Sequence, residues 1–261
     1  MTRDPRIEIG PRAAPPLAEE APVALVYNGE TQAVMMATPR DLEDFARGFS
    51  LTEGIVTAAG EIEDLEILDH GTGFEARMGL PDAPAARLSA RRRAMTGPVG
   101  CGLCGIDSIE AALRPAAEVA TDALRLSAED LRDAPEALRR RQPGHDATHA
   151  MHAAALWEPG RGLLFPREDV GRHNALDKVA GACLAAGETG RGRAVVLTSR
   201  VSVEMVQKAA AMGAEAILAV SAPTALAVRV AEAAGLTLVA GLKHAARAYA
   251  HPRRLTDGAT E

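Results

Sequence analysis

The sequence predicts an α/β protein in two parts: a small N-terminal α/β unit, then a C-terminal unit built on a parallel sheet with helices packed on it. Three observations lead there. From about residue 153 onward, short apolar segments alternate with helical patterns, as strands joined through helices do. Two of those helical patterns stop at glycines, Gly213 and Gly235, where a C′ residue closes a helix. Near the N-terminus, Asn28-Gly29 separates two apolar, β-rich segments and signals a tight hairpin.

In chain order, residues 1–20 carry charges and prolines and are expected to form a flexible tail. Residues 23–27 and 31–37 are the hairpin strands. Pro39 opens a helical pattern reaching about Thr52, with Leu42, Phe45, Ala46 and Phe49 on one face. Strand-like segments follow at 62–68, 74–78 and 86–89. The small domain, 21–120, ends with a glycine-flanked cysteine loop and a short helical pattern at 106–113. A helix is expected at 127–140, capped by Ser127 with Glu129 and Asp130 in its first turn, although Pro135 weakens its continuity. Residues 142–146 read as a loop. In the second domain, 121–261, strands at 153–157 and 163–165 precede a helix at 174–186, where Leu176, Val179 and Cys183 share an apolar face. A strand at 194–197, a helix at 201–212, a strand at 216–220, a helix at 223–234 and a strand at 236–239 complete the series. No internal repeat is visible.

The chain has 261 residues, enough for one large domain or a large and a small one. Aromatic residues are only 3%, so alanine, valine and leucine must fill the core, and base stacking is a poor basis for function. A net charge of −6 argues against general binding to nucleic acid or anionic membranes. No apolar run approaches the ~20 residues that span a bilayer. The N-terminus lacks the apolar stretch of a signal peptide, so a cytoplasmic location is expected, where thiols stay mostly reduced.

Two of the three cysteines, Cys101 and Cys104, lie in the run Gly97-Pro-Val-Gly-Cys-Gly-Leu-Cys-Gly-Ile-Asp-Ser-Ile-Glu110. Glycines on both sides leave the thiols accessible to a large partner, and the expected helix beginning near Ile106 would lower a thiol pKa beside it. Redox, sulfur and metal chemistry all fit a reduced, closely spaced pair. A structural zinc site lacks a second Cys-x-x-Cys, leaving His149 and His152 as its other ligands. A thioredoxin-like oxidoreductase would place the motif in an early βαβ unit that is absent here. Cys183 reads as a core residue.

Other polar clusters compete for a role. Residues 165–178 hold Arg167, Glu168, Asp169, Arg172, His173, Asn174, Asp177 and Lys178 just before a helix. They are either a binding wall for a phosphorylated ligand at a helix N-terminus or a salt-bridged segment that orders the fold. Ser199, Arg200 and Ser202 follow a strand, where open parallel sheets bind ligands, or else they cap the next helix. Ser221 to Thr224 sits likewise after the next strand. Lys243, His244 and Arg247 offer three cations after the last one, for an anionic ligand or for solvent. His145, His149 and His152 form a loose cluster open to a metal reading. No Walker-type phosphate loop is present.

Taken together, Cys101-Gly-Leu-Cys-Gly105, Arg167-Glu-Asp-Val-Gly-Arg-His-Asn-Ala-Leu-Asp-Lys178, Glu204-Met-Val-Gln-Lys208, Val220-Ser-Ala-Pro-Thr224 and Phe45-Ala-Arg-Gly-Phe-Ser-Leu-Thr-Glu-Gly54 resemble the formate dehydrogenase accessory sulfurtransferase family, FdhD, over roughly residues 23–255. The resemblance implies a sulfurtransferase that takes persulfide sulfur from a cysteine desulfurase. It passes the sulfur to molybdenum cofactor, as bis-molybdopterin guanine dinucleotide, before insertion into formate dehydrogenase. Cys101 matches the persulfide-bearing cysteine, and Cys104 matches its helper. Leu242, Lys243, His244, Ala245, Ala246 and Arg247 match the stretch that binds the cofactor, a place a guanine nucleotide would also occupy. The chain departs from the family's usual pattern at His149-Ala150 and Ala246-Arg247. The resemblance also implies a homodimer and a three-layer α/β/α C-terminal domain like that of cytidine deaminases. Deaminase chemistry is not expected, since no His-x-Glu pairs with Pro-Cys-x-x-Cys. The alternative from another class is a non-enzymatic chaperone that only binds the cofactor.

Overall fold

A computed structural model describes residues 16–95 and 115–256. The expected tail lies mostly outside the described residues, as do the 106–113 helix, Cys101 and Cys104. The described chain builds two sheets.

The first sheet has the order β2-β1-β4-β3. Strands β1 (Ala21–Tyr27) and β2 (Glu30–Ala37) form the expected hairpin. Asn28 and Gly29 both take positive φ, 48° and 84°, as a two-residue turn of this hand requires. Strand β4 (Phe74–Met78) runs parallel to β1 and antiparallel to β3 (Leu65–Asp69). Helix α1 (Leu42–Thr52) buries Leu42, Phe45 and Ala46 against Leu25, Tyr27, Ala76 and Met78. The predicted strand at 86–89 is instead part of helix α2 (Asp82–Met95). The segment is rich in alanine and arginine, both strong helix formers, and Leu88 alone of 86–89 is fully buried.

The second sheet has the order β10-β9-β8-β7-β5-β6, and it is mixed rather than parallel. Only β7 (Ala194–Leu197), β8 (Ala216–Ala219) and β9 (Thr237–Ala240) run parallel side by side. Strand β5 (His152–Glu158) is antiparallel to β7 and to β6 (Gly162–Asp169), and β10 (Arg247–Ala250) is antiparallel to β9. The cause is connection length. The links 159–161 and 241–246 are too short for a crossover, so each returns its strand antiparallel.

Helices cover both faces of this sheet. On one face, α5 (Arg172–Ala185), α6 (Val203–Ala211) and α7 (Ala225–Ala234) pack Leu176, Val179, Met205, Val206 and Ala231 on the strands. On the other, α3 (Ala128–Arg139) packs Leu131, Ala134 and Leu138 against Trp157, Val196 and Leu218. Pro135 does not break α3. The Ser127 hydroxyl accepts from Asp130 N, and the Asp130 carboxylate accepts from Ser127 N, so the helix start is reciprocally capped. Where a loop was expected at 142–146, a short helix α4 (Pro143–Thr148) forms, with proline in its first turn.

The two sheets are joined through α1 and α5. A Cβ added at Gly48 would lie 1.6 Å from the Asp177 carbonyl oxygen, and one at Gly181 would lie 1.8 Å from the Asp44 carbonyl oxygen. The two backbones therefore touch. Around this contact the polar residues of 167–178 find partners more than a hundred residues away. Asp169 accepts from Thr38 N and pairs with Lys178, whose ammonium also donates to the Thr38 carbonyl. Asn174 donates to Met36 O, and Arg167 grips Asp44 through two nitrogens. Asp177 accepts from Thr52 Oγ1 and from the Lys208 ammonium.

Candidate functional site

Those partners divide the dense polar segment in two. Arg167, Asp169, Asn174, Asp177 and Lys178 weld the sheets together, and Glu168 accepts the backbone N–H groups of Gly144 and His145. For these residues the fold-ordering reading is the right one. Arg172 and His173, in the first turn of α5, take no part in the weld.

They stand at one edge of the second sheet. The parallel strands β7, β8 and β9 end there, β6 also ends there, and antiparallel β5 begins there at His152. Loops from the three parallel strands are stitched side by side. Val201 N donates to Ala222 O and Thr224 N to Val201 O, while Gly241 N donates to Ser221 O and Leu242 N to Ala219 O. The starts of α5, α6 and α7 all face this edge, the place where open α/β sheets bind ligands.

Of the expected site residues, Cys101 and Cys104 lie outside the described residues, and 242–247 lie within them. Lys243, His244, Ala245, Ala246 and Arg247 are exposed, and Leu242 is half-buried. Residues 242–246 form the turn from β9, and Arg247 opens β10, paired with Ala240. Gly241 makes the turn possible: its φ is +77°, and a Cβ there would press to 2.8 Å from Ala245 O. Thr224 caps α7 by accepting from Ala227 N. Ser202 occupies the corresponding position on α6 yet makes no capping bond, and Ser199 Oγ donates to Arg200 O instead. Cys183 is buried, and burial pushes its thiol up to about 11, which makes it unreactive. His145 and His149 meet edge to face at 5.6 Å, and His145 Nδ1 lies 3.1 Å from Met151 O. Among the described residues no three His, Cys, Asp or Glu side chains stand close enough to hold a metal ion.

Three residues singled out in the sequence stand at the starts of α5 and α6. Arg172 Nε, His173 Nε2 and Ser202 Oγ are buried and make no hydrogen bond. Leaving such a group unpaired costs about 1–3 kcal/mol, so three together are a feature to be explained. Glu204 Oε2 stands 3.8 Å from His173 Nε2, beyond hydrogen-bond range. Burial opposes the Glu204 charge, but the nearby Ser202 hydroxyl, its own N–H, His173 and Arg172 outweigh it and hold the carboxyl below its ordinary range. Ser202 contributes there by proximity, without hydrogen-bond geometry. Burial first, then the Arg172 charge, pushes His173 down to about 4 and lowers His152 as well. Both imidazoles are neutral at pH 7.

His173 makes the stability of the fold depend on pH. Its folded value is near 4 against an ordinary 6.5, so between those values the unfolded chain binds more protons. Stability contributed by the neutral ring is present above pH 6.5 and drains away as pH falls toward 4, by on the order of 3 kcal/mol. Denaturant midpoints for wild type and His173→Gln at pH 7 and pH 4.5 check this. The wild-type loss should exceed that of the variant; parallel losses would contradict it.

The fold and this edge define a two-sheet α/β protein with a polar rim where its parallel strands end. The chain belongs to the FdhD/NarQ family, whose model matches residues 18–256. A sulfur carrier protein FdhD from Agrobacterium fabrum is 52% identical over 231 residues, 88% of this chain and 84% of that one. One from Brucella abortus is 57% identical over 222 residues, covering 85% and 82%. The crystal structure of a protein described as a formate dehydrogenase accessory protein, from Desulfotalea psychrophila, superposes with a TM-score of 0.69 at 28% identity, covering 92% of this chain and 90% of that one.

Proposed function

We propose that this protein is a sulfur carrier acting as a sulfurtransferase in molybdenum cofactor maturation for formate dehydrogenase. The observation that carries the reading is the family match along nearly the whole chain, with relatives at 52% and 57% identity named as sulfur carriers. The glycine-flanked dithiol supplies the chemistry. The Cys101 thiolate attacks the outer sulfur of a persulfide on a cysteine desulfurase. The donor leaves as a thiolate, and Cys101 becomes Cys101–S–SH with no net change of oxidation. The Cys104 thiolate then attacks the inner sulfur of Cys101–S–SH, so that the outer sulfur leaves as sulfide for the acceptor, bis-molybdopterin guanine dinucleotide, and a Cys101–Cys104 disulfide takes up the two-electron oxidation.

The acceptor is placed at 242–247. Lys243, His244 and Arg247 project from the sheet edge and would hold the nucleotide phosphates, a place a guanine nucleotide also fits. A C-terminal domain related in fold to cytidine deaminases, a homodimer and a cytoplasmic location complete the reading. In cells lacking the native gene, Cys101→Ala should leave formate dehydrogenase activity at background. Unchanged dehydrogenase activity in that variant would overturn the sulfur-transfer step. If a Cys101→Ala, Cys104→Ala variant binds cofactor and still supports an active dehydrogenase, the protein is a cofactor chaperone instead.

A further inference from the structure

His145 lies within α4, and His149 closes it. The His149 N–H donates to the His145 carbonyl at 2.8 Å, so one helical turn ties the two backbones together. Their rings meet at 87°, with centres 5.6 Å apart. The backbone at His149 is left-handed, with φ of 56°, at a helix end where glycine is the usual residue. The chain keeps an imidazole there instead.

Hydrogen bonding leaves one nitrogen of His145 open. Its Nδ1 lies 3.1 Å from the Met151 carbonyl oxygen, which can only accept. Nδ1 therefore carries the proton, and in the neutral ring Nε2 keeps its lone pair. Metal-binding imidazoles are held in this way: the far nitrogen donates to a carbonyl, which fixes tautomer and ring orientation. The His149 ring is exposed and makes no hydrogen bond with a described residue. The spacing also fits a shared ion. Zinc–nitrogen bonds at a tetrahedral angle put two imidazole centres roughly 5 Å apart. Rotation of the exposed His149 side chain closes the small remainder. Asp146 stands within electrostatic range of both rings, but Arg139 holds its carboxylate at 2.5 Å, so it favours a cation without binding one.

We propose that His145 and His149 form a surface site for a divalent ion of the zinc class, with water in its other positions. Zinc, nickel and copper are the ions that imidazole suits. No third His, Cys, Asp or Glu side chain among the described residues is close enough to join, so the ion binds reversibly. The site stands apart from the cysteine chemistry and does not depend on it.

The test titrates the full chain with zinc chloride and follows the histidine Cε1–H signals by NMR. The His145 and His149 signals should move together, ahead of those of the other histidines. Thiolates also bind zinc, so calorimetry is done on a Cys101→Ala, Cys104→Ala chain, in which the same two signals should still move. Adding His149→Gly to that chain should weaken zinc binding by about tenfold or more, the least that loss of a ligand's own partner costs. Glycine suits the positive φ at this position, so the variant keeps its fold. His70→Gln, at an exposed histidine beside the first sheet, should change nothing. Histidine signals that do not move, or zinc affinity unchanged by His149→Gly, would overturn the proposal. So would a histidine response lost with the two cysteines, which would put thiolates and imidazoles on one ion. Sulfur on Cys101 is read separately, so the carrier reading and this site stand or fall independently.

Discussion

Replacing Lys208 by alanine should destabilise the fold by about 3–5 kcal/mol, the cost of stranding a buried charge. The Lys208 ammonium donates to both Asp177 oxygens at 2.8 and 2.9 Å, to Thr52 at 3.0 Å and to Glu53 at 3.2 Å. It also lies 5.6 Å from the centre of the Phe49 ring. Without it, Asp177, only 2% exposed, keeps just the Thr52 hydroxyl among those partners. Burial works against the ammonium, but Asp177 and Glu53 outweigh it and raise its pKa, so its contribution is fully in place at pH 7 and fades only as pH rises through that raised value. Removing both charges with Lys208→Met and Asp177→Asn should recover part of the loss, because the fully buried Asp177 charge is then gone together with its partner. Urea unfolding of wild type and these two variants checks this. A Lys208→Ala midpoint equal to wild type would show that the pair does not hold the two sheets together.

The second large effect concerns two glycines. Gly181→Ala and Gly48→Ala should each cost about 3 kcal/mol or more, because the new methyl meets a backbone carbonyl that cannot rotate away. The clash distances of 1.8 and 1.6 Å force α1 and α5 apart by more than an ångström, which loosens the Lys208 and Lys178 pairs as well. The two changes act on one contact, so the double variant should cost less than the sum. Gly60→Ala, with nothing within 4 Å of the added carbon, is the control and should melt within a few degrees of wild type. Gly181→Ala melting together with that control would refute the close helix contact.

The sequence made the local structure legible where local chemistry decides it. The Asn28-Gly29 turn, the Ser127 cap and the closing glycines Gly213 and Gly235 all appear as read, the last two at φ of 77° and 72°. Tertiary partners were out of reach. Nothing near Asp169 or Asp177 in the chain announces that Thr38 and Thr52 will hold them, since they lie 131 and 125 positions away. The same distance hides the division of residues 167–178 into a part that joins the sheets and an Arg172–His173 pair that stands outside it. Two signals were present and weaker. Gly48 and Gly181 interrupt helical patterns, where an internal glycine usually has a packing reason. Gly171 offers no side chain to cap α5. The antiparallel outer strands could have been foreseen from their short connections.

Whether Cys101 carries sulfur is tested most directly by mass. The purified chain is incubated with a cysteine desulfurase and cysteine, and the peptide bearing Cys101 and Cys104 is weighed and fragmented without reductant. One added sulfur on Cys101, lost after reduction and absent in Cys101→Ala, is the expected result. A wild-type peptide with no added sulfur, or with the sulfur on Cys104 alone, would contradict it.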